Sequence, residues 1–288
     1  MPEVSPKNLT SPKALTRRKN QTATINRRPI LGIWRLGRAI HQSDFSELTL
    51  AQPADALGSP RWDYVLRRGE GGNEMESLRQ IRQFTTCATQ VFHPNLVAVL
   101  DASDSGSSPF LVMPRLEGTT MQHHLDHQPP KALPVGLWLV RQVSQALEAM
   151  HVAGWVHGDV KPENVMVGST GHVTLIDLGF AERIHSAPNR LFRGTPEYAA
   201  PESVSGQSVT LPASDIFSLG RMLWRWMTKV NVPNELQLSP VAELVEKMIA
   251  ESPNDRPTAA HISRELLRLE IESLGCHIEP DRRSRRAA

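Results

Sequence analysis

Residues 157 to 167 read HGDVKPENVMV, which sets a carboxylate (Asp159), an ammonium group (Lys161) and an amide (Asn164) within six positions. A second carboxylate, Asp177, follows in LIDLGF. Transfer of a phosphoryl group needs a carboxylate beside the attacking hydroxyl and a cation beside the phosphate that moves. It also needs further carboxylate or amide oxygens to hold Mg2+. These four residues supply every one of those groups. Singly, each has a plainer role, since Asp and Asn are common turn formers and Pro162 is a common loop residue. Together, five fixed letters at a background of ~5% each match by chance at about 10⁻⁴ over a chain this long. Composition therefore does not account for them.

The loop lies between a helical pattern and a strand pattern. Val140, Val143, Leu147 and Met150 repeat at three and four, an apolar stripe that predicts a helix ending at Gly154. Beyond the loop, NVMV and HVTLIDLG flank the turn GSTG and predict a short hairpin that carries Asp177. Upstream, residues 30 to 115 hold ILGIWRLGRAI, SELTLAQ, WDYVLRR, NLVAVLDAS and PFLVMPRL, punctuated by Gly, Pro, Ser and Asp. Such runs predict antiparallel strands. One helix interrupts them, NEMESLRQIRQFTTCATQV, with Met75, Leu78 and Ile81 on one face. Downstream, helices are expected at 213 to 229, at 240 to 251 with Ser239 as cap and Pro240 in the first turn, and at 258 to 274 with Gly275 ending the last.

A chain of 288 residues with 40% hydrophobic residues can bury a sizeable core, and one globular unit with two lobes suits that length. The net charge of +2 hides an uneven distribution. Residues 1 to 30 balance at +6 and the last ten at +2, which leaves −6 on the 248 residues between. The basic ends carry neither interleaved aromatics nor a nucleic-acid motif, so they read as solvated appendages rather than as surfaces for nucleic acid or acidic partners. Two cysteines, Cys87 and Cys276, are too few for a disulfide scaffold or zinc site and imply a reducing compartment. The first residues lack the apolar core of a signal peptide, and no run approaches the ~18 apolar residues of a membrane span. A cytoplasmic protein is expected. HHLDH sets His123 and His127 four apart beside Asp126 but lacks the Glu of a metalloprotease helix, so it reads as a solvated face. RRGEGGNE lacks the G-K-[ST] of a phosphate loop and reads as a flexible connection.

Further blocks follow the loop in order: GTPEYAAPE at 194 to 202, SDIFSLG at 214 to 220 and DRPTA at 255 to 259. With HGDVKPEN and LIDLG, the chain resembles the eukaryotic-type serine/threonine protein kinases, also found in bacteria, from HPNLV at 93 to about residue 270. The resemblance implies an α+β, two-lobed protein-kinase fold: a small lobe of antiparallel sheet with one helix, a larger and mainly helical lobe, and ATP between them. It divides the chain into a disordered basic tail (1–28), a kinase domain (29–275, with the small lobe at 29–115 and the large lobe at 116–275) and a basic C-terminal tail (276–288). In that frame Asp159 accepts or orients the proton of the substrate hydroxyl and Lys161 lies against the moving phosphate. Asn164 and Asp177 coordinate Mg2+. Thr195 contacts the catalytic loop, Glu202 pairs with Arg256, and Asp215 holds the backbone of the loop. Met113 stands at the back of the adenine pocket, with Pro114 to Leu116 lining it. The implied partners are ATP and a protein substrate that the residues do not identify.

The small lobe departs from the family pattern. His41, Ser43, Ser46 and Leu48 stand where three glycines and a valine form the loop over the phosphates, and loss of those glycines should weaken the grip on nucleotide. Arg67 replaces the strand lysine that holds the first two ATP phosphates, and the two are not interchangeable at a fitted site. Gln83 and Phe84 occupy the expected place of the helix Glu that pairs with this cation. In the large lobe, Gly158 replaces an Arg that docks a phosphorylated activation segment, so phosphorylation over 180 to 193 should be dispensable. The stretch between Met227 and Val241 is too short for a further substrate-docking helix. An enzyme of low activity follows. The alternatives are a pseudokinase acting as a binding or scaffolding module, and a small-molecule phosphotransferase, against which KPEN, GTPEYAAPE and DRP all stand.

Overall fold

Strand periodicity builds the amino-terminal lobe of the computed structural model, which describes residues 29–43, 46–56, 58–69, 74–104, 109–187, 194–205, 209–232 and 238–278. Strands β1 (Ile30–Leu31), β2 (Trp34–Gln42), β3 (Ser46–Pro53), β4 (Tyr64–Gly69), β5 (Asp101–Ser103) and β6 (Phe110–Pro114) form one antiparallel sheet in the order β1-β2-β3-β4-β6-β5. Alternation sends Leu66, Phe110 and Val112 to one face, where Trp34, Leu36 and Ala51 join them in a small separate core. The opposite face receives Val65, Arg67, Leu111 and Met113, in the pairings Val65↔Met113 and Arg67↔Leu111. This period of two is what points the Arg67 side chain toward the centre of the molecule.

Helix α1 (Glu74–Ala88) packs on that second face. Its buried side keeps only Ile81 of the expected Met75, Leu78 and Ile81 stripe; Leu78 is half-buried and Met75 is 78% exposed. Ser77, Gln80, Ile81, Phe84, Cys87 and Ala88 turn inward. Two of these are polar, so a hydrophobicity pattern alone assigns the wrong phase; Gln80 is inward because it meets Arg67. NLVAVLDAS is a strand only at Asp101–Ser103. Its earlier part crosses to the large lobe, where Val97 N–H donates to Leu175 O at 3.0 Å and Leu175 N–H to Asn95 O at 2.8 Å.

The large lobe is arranged around α3 (Leu133–Val152). The repeating Val140, Val143, Leu147 and Met150 are all fully buried, and Gly154 follows the capping Ala153 as the spacing predicts. Burial of each such side chain contributes roughly 1.5–3 kcal/mol. Helices α2 (Met121–His127), α4 (Pro201–Ser205), α5 (Pro212–Met227), α6 (Ser239–Met248) and α7 (Ala259–Ile278) complete the lobe. Ser239 is the first residue of α6 rather than its cap, which is Leu238 and makes no side-chain bond. Gly275 does not end α7; an added Cβ would meet nothing there, and the helix runs on to Ile278, into the segment assigned to the C-terminal tail. One continuous core joins α1, the strand residue Leu111 and the large lobe. The architecture is therefore the two-lobed α+β arrangement expected. The basic tail at 1–28, most of 276–288, the Gly71–Gly72 connection and residues 233–237 lie outside the described residues. None of the described helices is long and apolar enough to cross a membrane.

Candidate active site

The catalytic loop is held from below by one carboxylate. Asp215, 1% exposed near the start of α5, accepts from His157 N–H at 2.8 Å and Gly158 N–H at 2.9 Å, and His151 Nε2 lies 2.9 Å from Oδ2. Burial pushes this carboxyl upward, but the hydrogen bond and charge of His151 outweigh it and hold the group below the ordinary range. The buried His157 accepts from Asp159 N–H on Nδ1 at 3.2 Å and sits 3.1 Å from Ile176 O through Nε2. Those partners require the ring proton on Nε2. One histidine thus ties the loop to Ile176, the residue between the strand Val173–Leu175 and Asp177.

Gly158 lets the loop close. Its φ is +81°, and a Cβ built there would lie 2.6 Å from Phe180 O. Substitution by Ala combines a left-handed backbone with a clash against main chain, which has no rotamer to yield. Gly158→Ala is expected to lose about 2 kcal/mol or more of unfolding free energy in a denaturant titration; a variant as stable as the parent would contradict this geometry.

The loop's chemical groups converge. Asp159 Oδ1 accepts from Thr195 Oγ1 at 2.9 Å, and Oδ2 accepts from Asn164 Nδ2 at 2.9 Å and from Lys161 Nζ at 2.9 Å. Lys161 Nζ also donates to Thr195 Oγ1 at 2.6 Å. Asn164 Nδ2 donates in addition to Asp159 O at 2.9 Å, which leaves its carbonyl oxygen as the group for a cation. Thr195, placed by the GTPEY block, closes the net from the activation segment.

Across the cleft stands Asp177, with a left-handed φ of 63° and Oδ1 accepting from Gly179 N–H at 3.2 Å. Arg67 NH1 donates to the same Oδ1 at 2.5 Å, and NH2 donates to Gln80 Oε1 at 3.0 Å. The guanidinium lies 5.9 Å from the centre of the Phe84 ring. Burial pushes Asp177 upward, yet the charge and hydrogen bond of Arg67 hold it below the ordinary carboxylate range. Gln80 is the helix residue that hydrogen-bonds Arg67, while Phe84 offers only its ring face and Gln83 is not among the partners of the guanidinium. The expectation misplaces the partner because α1 is phased by its packing on β4 and not by its distance from His93. Glu76, an acid one turn before Gln80 on the helix, pairs with Arg79 at 2.7 Å.

Between these two groups lies a cleft of about 640 Å³. Arg67, Met113, Leu116, Lys161, Asn164 and Asp177 all line it. Asp159 stands just beyond, linked through Lys161 and Asn164. His41, Ser43, Ser46 and Leu48 form its roof, and Ser43 Oγ staples the loop by accepting from Ser46 N–H at 3.2 Å; the loop tip lies outside the described residues. Sequence reasoning missed Val65, Met166 and Ile176, which give the cleft apolar walls. Their signal was available, since Val65 shares the face of Arg67, Met166 follows Asn164 by two and Ile176 precedes Asp177. The donor set suits a hard divalent ion, with an amide oxygen and a carboxylate to be completed by phosphate oxygens. His123 and His127 stack at 4.6 Å, and Asp126 is engaged by Arg225 at 3.2 Å.

The sequence matches the protein kinase domain family over residues 69–237, more than half of the chain. The match begins after Arg67. The chain is 31% identical to the serine/threonine-protein kinase PkaA of Streptomyces coelicolor over 212 residues, which cover 64% of this chain and 38% of the relative. It is 32% identical to the serine/threonine-protein kinase PknA of Mycobacterium tuberculosis over 161 residues, 53% of this chain and 37% of the relative. A third relative, the serine/threonine-protein kinase PknL of the same species, is 36% identical over 136 residues, 46% and 34% of the respective lengths. The chain thus spans well under half the length of these curated relatives. With two lobes, an intervening cleft and a catalytic loop held by buried acid, the chain belongs to the protein kinase domain family.

Proposed function

We propose that this chain is an ATP- and Mg2+-dependent serine/threonine protein kinase that transfers the γ-phosphoryl group to a protein hydroxyl. The observation that carries the reading is the hydrogen-bonded net of Asp159, Lys161, Asn164 and Thr195 at the mouth of a cleft whose far wall holds Asp177. Asp159, aligned by three donors, takes the proton of the incoming hydroxyl. Lys161 steadies the phosphoryl oxygens as charge builds on them. Asn164 Oδ1 and Asp177 would hold Mg2+, which when bound neutralises the phosphates and orients them. The apolar walls at Val65, Met113, Met166 and Ile176 accommodate a planar base. Thr195 and the KPEN lysine favour a protein acceptor over a small molecule.

The test is transfer of labelled phosphate from ATP to a protein acceptor by the parent chain and by the Asp159→Asn and Asp177→Asn variants. Equal traces from all three would overturn the reading. The Arg67–Asp177 ion pair favours a second one, a nucleotide-binding scaffold, because it engages a metal-binding carboxylate oxygen.

Regulation by an activation-segment phosphate is not part of the proposal. Gly158 leaves no side chain to receive a phosphate, and residues before the undescribed 188–193 are already held by backbone. Ile184 N–H donates to Gly154 O at 3.0 Å and His185 N–H to Thr210 O at 2.9 Å. Ser186→Ala is therefore expected to retain parental transfer, within about twofold, as for a surface change outside the site. Loss of activity in that variant would show that a phosphate is needed.

A further inference from the structure

The cleft contains an ion pair that removes a reason for needing metal. Arg67 carries +1, its carboxylate partner Asp177 carries −1, and Gln80 at the third corner is neutral. These three groups sum to zero, whereas a Glu at the Gln80 position would leave an excess negative charge to draw in a divalent ion. Asp177 Oδ1 already accepts from a guanidinium at 2.5 Å and from Gly179 N–H, so a divalent ion approaching this carboxylate is left with Oδ2 and meets a fixed positive charge beside it.

The guanidinium is also built to receive phosphate. Its side chain is 9% exposed, it lines the cleft, and two of its five N–H groups are used on Asp177 and Gln80. Among the described residues no further acceptor is seen for the other three. A planar fork of this kind matches two phosphate oxygens at once, which a lysine ammonium cannot do. Phe84 beneath it and Gln80 beside it hold the fork in place before any ligand arrives.

We propose that Arg67 grips nucleotide phosphates through its remaining N–H groups without help from a divalent ion, so that this site captures nucleoside di- and triphosphates equally well with and without one. The inference rests on the kinase reading of the cleft but concerns capture of nucleotide, not transfer.

The experiment is calorimetric titration of the whole 288-residue chain with ADP, which gives no turnover, once in excess EDTA and once in excess Mg2+. The two dissociation constants are expected to agree within about threefold. Arg67→Met, which keeps an unbranched apolar stem on β4, is expected to lose at least ~10-fold affinity in EDTA and to regain much of it in Mg2+. Binding by the parent chain in Mg2+ but not in EDTA would overturn the inference and leave the kinase reading standing. Absence of binding in both buffers would overturn both. The parent comparison needs no variant, so a folding defect in Arg67→Met does not affect the decision.

Discussion

Asp159→Asn lowers phosphoryl transfer to a protein acceptor by ~10²–10⁴-fold while the chain stays folded and still binds nucleotide. The carboxylate is the only group in the net that can take a proton from a hydroxyl, since Lys161 is a donor and Asn164 has turned its amide nitrogen inward. An amide at 159 keeps the shape and one acceptor oxygen but offers N–H to partners that are themselves donors: Thr195, Asn164 and Lys161. Proton acceptance is lost and Lys161 is loosened, so the fall should appear in kcat rather than in the KM for ATP. Nucleotide affinity should be nearly unchanged, because the cleft is lined by Arg67, Asn164 and Asp177 and not by Asp159. Equal kcat values for variant and parent would remove Asp159 from the mechanism; a common fall in melting temperature would assign the effect to folding.

The second large effect is on stability. Arg256→Ala should cost about 3–5 kcal/mol and lower the melting temperature by on the order of 10 °C. The Arg256 side chain is 0% exposed, and all five of its N–H groups are used. Two go to Glu202, at 2.7 and 2.9 Å, and the others to Ala213 O at 3.0 Å, Ala250 O at 2.8 Å and Glu251 O at 3.0 Å. The guanidinium also lies 5.0 Å from the centre of the Phe217 ring. It ties α4, α5 and the turn before α7 together, and removing it leaves a buried carboxylate with little beyond Ser214 at 2.9 Å.

Acid should reveal the same pair. Burial pushes Glu202 upward, but the Arg256 bond, helped by Ser214, holds it below its ordinary value of 4.5. A depressed carboxyl contributes stability that is present above 4.5 and is lost as the pH falls through the lower folded value. In Arg256→Ala the sign reverses, since protonation relieves an unpaired buried anion. The stability gap between parent and variant should therefore narrow below pH 4.5. A gap independent of pH would show that Arg256 acts by packing alone.

Local order along the chain made much of this readable. Asp159, Lys161 and Asn164 lie within one short loop, so their convergence needs only that loop's backbone. The α3 stripe shows its helix because apolar side chains three and four apart share a face. Alternation along β4 and β6 likewise places Arg67 and Met113 toward the cleft. Failures arose where polar residues turn inward or contacts span great distances. Ser77 and Gln80 broke the α1 stripe, and α7 passed through Gly275 because nothing blocks it there.

Read as letters alone, the chain specified the residues of its loop and its hairpin, because periodicity and turn chemistry act over a few residues, while the two-lobed plan followed from the resemblance that its motif blocks carry. Tertiary packing chose the partners: Gln80 for Arg67, Asp177 for the same guanidinium across 110 positions, and Phe180 against Gly158. The physical reason is that the phase of a helix on a sheet is set by mutual burial of their surfaces, which no local propensity encodes. That phase gave the cleft a paired cation in place of an uncompensated carboxylate.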